Sequence, residues 1–318
     1  MRNYADQDYL HARIYAMRGR LLFLRDYALM IGEQQAFTLN LPDPYDLVEA
    51  REKLFREQIT PVIRLVEAYD KYIPIFLAYL RQYEIHNAKI LLAKALRLES
   101  LEQWYNITPF AILKKEMLRE NLSVGEIKSF VANTYLADAL QDTSSYLHME
   151  INLDITAVRN LYDSSVLLTA QAKKEFKDML LKKTVMLNVV WSYRLREYYH
   201  SNDENVRLYM EKLNNLFGDH ADSQVRSVEE SLNQHIGKMR KSGGQEPSVG
   251  DIERHLEQDY YTWISSMFHR DFHSICSVIA YLWLLFYQIK NLLRIIDGRR
   301  FGLSAEAILD KIICADRE

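Results

Sequence analysis

The residues best suited to chemistry lie near the C-terminal end of this sequence. In the stretch FHRDFH, His269 and His273 stand one helical turn apart, with Asp271 between them. A histidine pair at this spacing can hold a divalent metal ion. Two solvated histidines at the start of an apolar helix explain the same pattern, and the sequence offers no third or fourth ligand nearby. We therefore predict no metal site, and keep an all-α metalloenzyme as an alternative.

A basic cluster follows, formed by Arg294, Arg299 and Arg300. Arginines in this setting could bind a phosphate group, or could cap the carbonyl groups at the end of a helix. The sequence has no G-x-x-x-x-G-K-[ST] phosphate loop, no G-x-G-x-x-G, no H-E-x-x-H and no G-x-S-x-G. It also lacks the Asp-rich cluster of prenyl-transfer enzymes and the Glu-x-x-His pairs of di-iron bundles. We predict no catalytic residue and no cofactor.

The elements that must position these residues are helices. Strands joined by tight turns consume glycine and proline, and the 318 residues include only 10 glycines and 6 prolines. Apolar residues recur at three-to-four spacing through most of the chain, so the sequence predicts an all-α fold. A net charge of −3 argues against a large nucleic-acid surface. Cys276 and Cys314 lie in apolar contexts, and we expect two buried free thiols, with a disulfide between them as the alternative.

Several stretches predict where the helices begin and end. The longest apolar run, residues 274–289, predicts a fully buried helix. It is shorter than the roughly 18 to 20 apolar residues that a membrane span needs, and membrane insertion is the alternative. We expect Gly298 to end this helix, and Pro61 and Pro74 each to start or kink a helix. Residues 218–250 have the composition of a linker.

Four polar positions recur three times along the chain without gaps. In each set, an Asn is preceded 38 residues earlier by a Glu, and is followed 13 residues later by a Ser and 15 residues later by an acidic residue. The three sets are Glu49, Asn87, Ser100 and Glu102; Glu150, Asn188, Ser201 and Asp203; and Glu253, Asn291, Ser304 and Glu306. The pattern predicts three similar helical repeats over residues 1–115, 116–217 and 218–318.

The repeated positions predict structural roles. A Ser followed two residues later by an acid is typical of a helix N-cap with a negative charge in the first turn. An Asn in an apolar stretch is expected to bond the backbone of a neighbouring helix. The Arg299–Arg300 pair does not recur in the other two sets, so we predict that Arg299 and Arg300 contact a partner. The 21 tyrosines cluster at helical spacing, which is typical of a core or of a groove that holds a partner helix.

The C-terminal stretch IERHLEQDYYTWI…YQIKNLLRIIDGRRFGLSAEAI resembles the end of the C subunit of the A-type and bacterial V-type ATPases, the relative of the d subunit of the eukaryotic V-ATPase. The N-terminal YLHARIYAMRGRLL resembles the opening helix of the same family, and HNAKILLAKALRLESLE resembles its first internal repeat. The residues that carry the resemblance are Tyr9, Ala12, Arg13, Leu21, Leu22, Glu253, Leu256, Asn291, Leu292, Arg294, Arg300, Phe301, Gly302 and Leu303.

The resemblance implies three similar helical domains around a pseudo-threefold axis, in a funnel-like arrangement. It implies a non-catalytic rotor adaptor on the cytoplasmic face of the membrane rotor ring, peripheral to the membrane and without a span of its own. In that role the protein holds the D and F subunits of the central stalk and transmits the torque that couples ATP hydrolysis or synthesis to proton or sodium transport. It would bind no nucleic acid and be a monomer when isolated. A generic α-helical repeat scaffold for another helical partner is the alternative.

Overall fold

The computed structural model describes residues 7–32, 47–69, 73–98, 103–118, 120, 122–141, 145–218, 220–241, 247–270 and 274–315. These residues form helices and no strand, which confirms the all-α class. The α-helices are α1 (Gln7–Arg18), α2 (Leu24–Gly32), α3 (Leu47–Ala68), α4 (Ile73–Ala95), α5 (Val124–Val131), α6 (Tyr146–Ser164), α7 (Ala170–Glu197), α8 (Asp203–Asn214), α9 (His220–Lys241), α10 (Val249–Arg270), α11 (Ile275–Arg300) and α12 (Ala305–Leu309).

The chain divides into two compact units. The first comprises the described residues up to Leu167 together with Tyr281–Ile312, and the second comprises Leu168–Ala280 with Ile313–Ala315. The division between the units falls inside α11. The two units are defined by which residues contact one another, whereas the three predicted repeats are defined by a spacing in the sequence.

The first unit is built around α4, which packs against α3 and α6. Most of the circumference of α4 is apolar, so 13 of its 23 residues are buried. Leu92 on α4 and Leu153 on α6 are both fully buried in this core, with Leu136 beside them. Burying one such side chain contributes about 2–3 kcal/mol to folding.

The second unit is built around α7, which packs against α8, α9 and α10. Helix α9 occupies most of the stretch predicted to be a linker, so that prediction is wrong for residues 220–241. Val225 and Val228, three residues apart, pack on Leu181 and Val185 of α7. This narrow apolar stripe is enough to hold one face of a helix, although the surrounding polar residues give the stretch the composition of a loop.

Helix α11 confirms the predicted buried helix. It is long and apolar enough to cross a membrane, but 89% of its most apolar window is buried in the protein. Pro74 is the second residue of α4, as expected of a helix start, while Pro61 lies inside α3, which begins and ends elsewhere.

The prediction that Gly298 ends this helix is wrong, because α11 continues to Arg300. Gly298 instead permits close packing, since a Cβ built there would lie 2.6 Å from Cγ1 of Ile308. The residue that ends the helix is Gly302, whose φ of +67° is in the left-handed region. The Leu303 N–H donates to the Gly298 carbonyl at 2.8 Å, which closes the last turn.

Candidate functional site

The predicted metal ligands do not form a metal site in the part of the chain that the structure describes. His269 lies exposed at the end of α10, with its ring edge-on to Phe268. Asp271 and His273 lie outside the described residues. Among the described residues, no group of three or more His, Cys, Asp or Glu side chains could hold a metal ion.

The two cysteines are buried free thiols, as predicted. The Cys276 sulfur lies 3.7 Å from a carboxylate oxygen of Glu175. Burial is the main cause that raises the pKa of the Cys276 thiol to about 11, and the Glu175 carboxylate raises it further. A thiol with this pKa is protonated at neutral pH and is a poor nucleophile.

A cavity of about 470 Å³ in the second unit has both acidic and basic side chains in its wall, among them Glu175 and Lys182. These groups already interact within the unit. Glu175 accepts a 2.6 Å hydrogen bond from the Ser274 hydroxyl, and the Lys182 ammonium lies 4.4 Å from the centre of the Trp263 ring. Burial lowers the pKa of Lys182.

One buried carboxylate, Glu84 on α4, was missed by the sequence analysis. It accepts hydrogen bonds from the backbone N–H groups of Ile112 and Leu113 and from the Tyr135 hydroxyl. Burial raises the pKa of Glu84, and these hydrogen bonds lower it again in part. The partners belong to the same chain, so the carboxylate fixes the segment after α4 in place.

The three repeated Asn residues are all buried, one on each of the three long helices α4, α7 and α11. Asn87 donates to the Tyr105 carbonyl at 2.9 Å and accepts from the Tyr105 N–H at 2.8 Å. Asn188 donates to the Met210 carbonyl at 3.4 Å. Asn291 accepts from Arg294 at 3.5 Å, and the same Arg294 nitrogen donates to the Lys311 carbonyl at 2.9 Å. Asn87 and Asn188 thus tie their helices directly to the chain that follows, and Arg294, which donates to Asn291, does so for α11.

The predicted helix caps are in part displaced. Ser304 is the N-cap of α12 and accepts from the Ala307 N–H, with Glu306 in the first turn. In the second set, Asn202 is the N-cap of α8 instead of Ser201, and Asp203 is the first helical residue. Ser100 and Glu102 lie outside the described residues.

The cause of the displacement is one extra residue in the turn of the second set. A residue with positive φ precedes each of the two caps by two positions, His200 before Asn202 and Gly302 before Ser304. His200 is 12 residues after Asn188, whereas Gly302 is 11 residues after Asn291. An ungapped template therefore selects Ser201, one residue too early.

The leading acidic residues lie near the starts of α3, α6 and α10, as Glu49, Glu150 and Glu253 respectively. Glu150 and Glu253 each form a salt bridge with the long helix of the preceding set. Lys89 on α4 lies 3.4 Å from Glu150 and 2.8 Å from Asp154 on α6. Arg194 on α7 lies 2.5 Å from Glu253 on α10.

We call α3, α6 and α10, which carry the leading acidic residues, the leading helices. A third salt bridge joins α11, the last long helix, to α3, the first leading helix. It is formed by Asp297 and Arg51, whose guanidinium contacts both carboxylate oxygens. A long helix of one set is thus linked to the leading helix of the next set, and the last to the first. The Arg51 side chain is 11% exposed and the Asp297 side chain 33% exposed, so solvent screens this pair less than a fully exposed one.

His86 lies one residue before Asn87 on α4, with its ring centroid 5.6 Å from that of Tyr105. Burial lowers the pKa of His86 to about 4, with smaller contributions from the positive charges of Lys89 and Lys290. Asp154 acts in the opposite direction. The imidazole is therefore neutral at physiological pH.

Arg299 and Arg300, the predicted partner contact, are the last two residues of α11. Arg299 is half-buried, and its guanidinium donates to the Met30 carbonyl near the end of α2. That contact satisfies a helix C-terminal carbonyl, which is a structural role. Arg300 is exposed.

The tyrosine clusters include a buried aromatic group in the first unit. The Tyr79 and Tyr83 hydroxyls are 3.0 Å apart, and the Tyr83 ring contacts those of Phe55 and Tyr105. Tyr79 and Tyr83 are almost fully buried. These tyrosines are part of the core.

The apolar side chains that do reach the surface include a repeated group at the ends of the three long helices. We call these segments the helix-end turns: residues 96–98 after α4, 198–200 after α7 and 301–303 after α11. Each contains a residue with positive φ (Arg97, His200 or Gly302). Each also exposes two large apolar side chains: Leu96 and Leu98, Tyr198 and Tyr199, and Phe301 and Leu303.

The sequence model of the ATP synthase (C/AC39) subunit family matches residues 10–311. The match includes the three long helices, the three leading helices and all three helix-end turns. A comparison with curated proteins gives no match.

Proposed function

Because the chain belongs to the ATP synthase (C/AC39) subunit family, we propose that it is the non-catalytic adaptor of the central rotor in a V/A-type ATPase. Family membership makes it a peripheral subunit of a membrane-associated rotary ATPase. In the proposed role it sits on the cytoplasmic side of the membrane rotor ring, holds the D and F stalk subunits, and transmits torque between the ATP-driven head and the ring.

The observation that carries this proposal is the order of the three interhelical salt bridges. They link α4 to α6, α7 to α10 and α11 to α3. Three repeats that follow one another around an axis would pair in this order, and a funnel built in this way would offer a socket for the stalk. An open superhelical scaffold would leave its first and last repeats unpaired.

The chemistry of the described residues supports a non-catalytic role. The Cys276 thiol is protonated at neutral pH, the Glu84 carboxylate bonds its own chain, and Asn87 and Asn188 bond nearby backbone. Polar groups engaged in this way stabilise a rigid body. A torque-transmitting part needs rigidity more than reactivity.

Calorimetric titration of the isolated chain with a purified D–F stalk complex tests the proposal. We expect a monomeric chain that binds one D–F complex and hydrolyses no ATP. A chain that binds neither the D–F complex nor the rotor ring would contradict the adaptor role and would favour the generic scaffold.

A further inference from the structure

The first unit contains a cavity of about 420 Å³ between α1, α2, α3 and α11. Its wall is mostly apolar and includes the buried side chains of Leu54, Leu285 and Leu292. Sites for small molecules in proteins are typically apolar cavities of about 300–1,000 Å³, in which a few polar groups orient the ligand. The size and the wall of this cavity fit such a site.

One polar side chain in the wall, Tyr281, has no hydrogen-bond partner in the part of the chain that the structure describes. Tyr281 is 2% exposed and lines the cavity, and its hydroxyl bonds no described residue. Other buried tyrosines do have partners, since Tyr79 and Tyr83 bond each other and Tyr260 donates to the Met179 carbonyl. Buried hydroxyl groups are nearly always hydrogen-bonded, so the Tyr281 hydroxyl suits an acceptor that enters the cavity.

Two positive charges act on this hydroxyl. Burial raises the pKa of Tyr281, and the guanidinium groups of Arg20 and Arg13 lower it in part. The hydroxyl is therefore protonated at neutral pH and can donate a hydrogen bond. The two guanidinium groups favour an acceptor that carries a negative charge. Arg20 also lines the cavity and is exposed, which places it on the side open to solvent.

The other polar side chains of the wall leave this preference in place. The Gln288 side chain accepts from the Leu22 N–H and donates to Gln58, both at 2.7 Å, so it is engaged within the protein. Glu57 is exposed, and water screens its charge. An anionic group beside Tyr281 thus meets two positive charges and a hydrogen-bond donor.

We propose that this cavity binds an amphipathic anion, whose alkyl or acyl chain packs against the apolar wall while its terminal carboxylate or phosphate accepts a hydrogen bond from Tyr281 and pairs with Arg20. A free fatty acid and an anionic lipid of a bilayer both have this chemistry. The proposal is independent of the adaptor role, because it uses only side chains of the first unit.

The test is calorimetric titration of the full-length chain with laurate, below the concentration at which laurate forms micelles. We expect one laurate to bind per chain, and Tyr281→Phe to bind it about tenfold more weakly, because a hydrogen bond to a charged acceptor is lost. Tyr83→Phe is the matched control, since Tyr83 is also 2% exposed but its hydroxyl bonds Tyr79. The control should bind laurate as the wild type does and unfold at a lower urea concentration, whereas Tyr281→Phe should keep the wild-type urea midpoint.

Two further variants test the charge and the space separately. Arg20→Gln should weaken laurate binding and make it less dependent on salt concentration, because the screened charge is gone. Met30→Trp enlarges a half-buried side chain of the wall and should abolish binding. Both variants should keep the wild-type circular dichroism spectrum.

The outcomes decide both the site and the source of its ligand. A wild-type chain that binds no laurate overturns the proposal, and so do Tyr281→Phe and Met30→Trp variants that bind laurate as tightly as the wild type does. Vesicles of anionic phospholipid are the second probe. Vesicle binding that both variants weaken supports the site and assigns it to a bilayer lipid, whereas laurate binding that they weaken without an effect on vesicles supports the site and assigns it to a free fatty acid. Binding of the D–F complex should be unchanged in every variant.

Discussion

Replacement of Asn87 by alanine should destabilise the first unit by more than the same change at Asn188 or Asn291. The Asn87 side chain is fully buried and makes two short hydrogen bonds to the backbone of Tyr105. These bonds hold the non-helical segment after α4 against the helix. Alanine removes both at once and leaves a backbone N–H and C=O of Tyr105 without those partners.

The magnitude follows from the two lost bonds. Each contributes about 1 kcal/mol net, and an unsatisfied buried backbone group adds about 1–3 kcal/mol. Water that reaches the half-buried Tyr105 backbone would offset part of that addition. We therefore expect a loss of about 2–4 kcal/mol in the free energy of opening this segment.

Hydrogen exchange at the Trp104 amide measures this loss. That N–H donates to the Glu52 carboxylate at 2.9 Å, a bond that the substitution leaves in place. Its exchange therefore reports the opening of the whole segment. Its protection should fall roughly 30- to 1,000-fold, since each 1.4 kcal/mol is a factor of ten.

The matched control is Gln82→Ala, on the same helix. Gln82 donates a long 3.4 Å bond within α4 to the Tyr79 carbonyl, so its loss should change Trp104 protection by less than about threefold. If Asn87→Ala changes the protection no more than this control does, the repeated Asn does not anchor the chain and the reasoning is refuted.

Three further predictions concern other described positions. Gly298→Ala should lower the free energy of unfolding by about 1–3 kcal/mol, because its new methyl group meets Ile308; the additional change Ile308→Ala should make the Gly298→Ala substitution nearly neutral in urea unfolding. His86 has a folded pKa of about 4, so between pH 6.5 and 4 the unfolded chain binds a proton that the folded chain does not, and stability should fall by about 1.4 kcal/mol per pH unit. His86→Gln should make urea unfolding less dependent on pH over that range, and an unchanged slope would refute the assigned pKa. Asn202→Ala should cost about 1 kcal/mol and Ser201→Ala less than about 0.5 kcal/mol, and thermal unfolding that ranks them in the opposite order would place the cap at Ser201.

The features that the sequence could predict are those set by local patterns. Three-to-four apolar spacing predicts helices, and an apolar run between polar ends predicts the buried part of α11. The recurrence of Asn87, Asn188 and Asn291 in apolar stretches predicts buried amides that bond backbone; all three residues are buried, and Asn87 and Asn188 bond backbone.

The features that could not be predicted depend on contacts distant in the chain or on a single residue of loop length. Gly298 has the composition of a helix stop, but its neighbour Ile308, ten residues later, gives it a packing role. One extra residue before His200 moved the second cap to Asn202. The polar stretch 220–241 forms a helix because α7 offers it a narrow apolar surface. Exposure of the helix-end turns is a property of the folded chain alone.

We propose that this chain joins the rotor ring to the central stalk of a V/A-type ATPase. Affinity purification of the tagged chain from gently solubilised native membranes, followed by mass spectrometry, tests it most directly. We expect ring subunits and the D and F stalk subunits to copurify with the chain in fixed proportion. Recovery of the chain without ring and stalk subunits, from membranes in which the ATPase is intact, would contradict it.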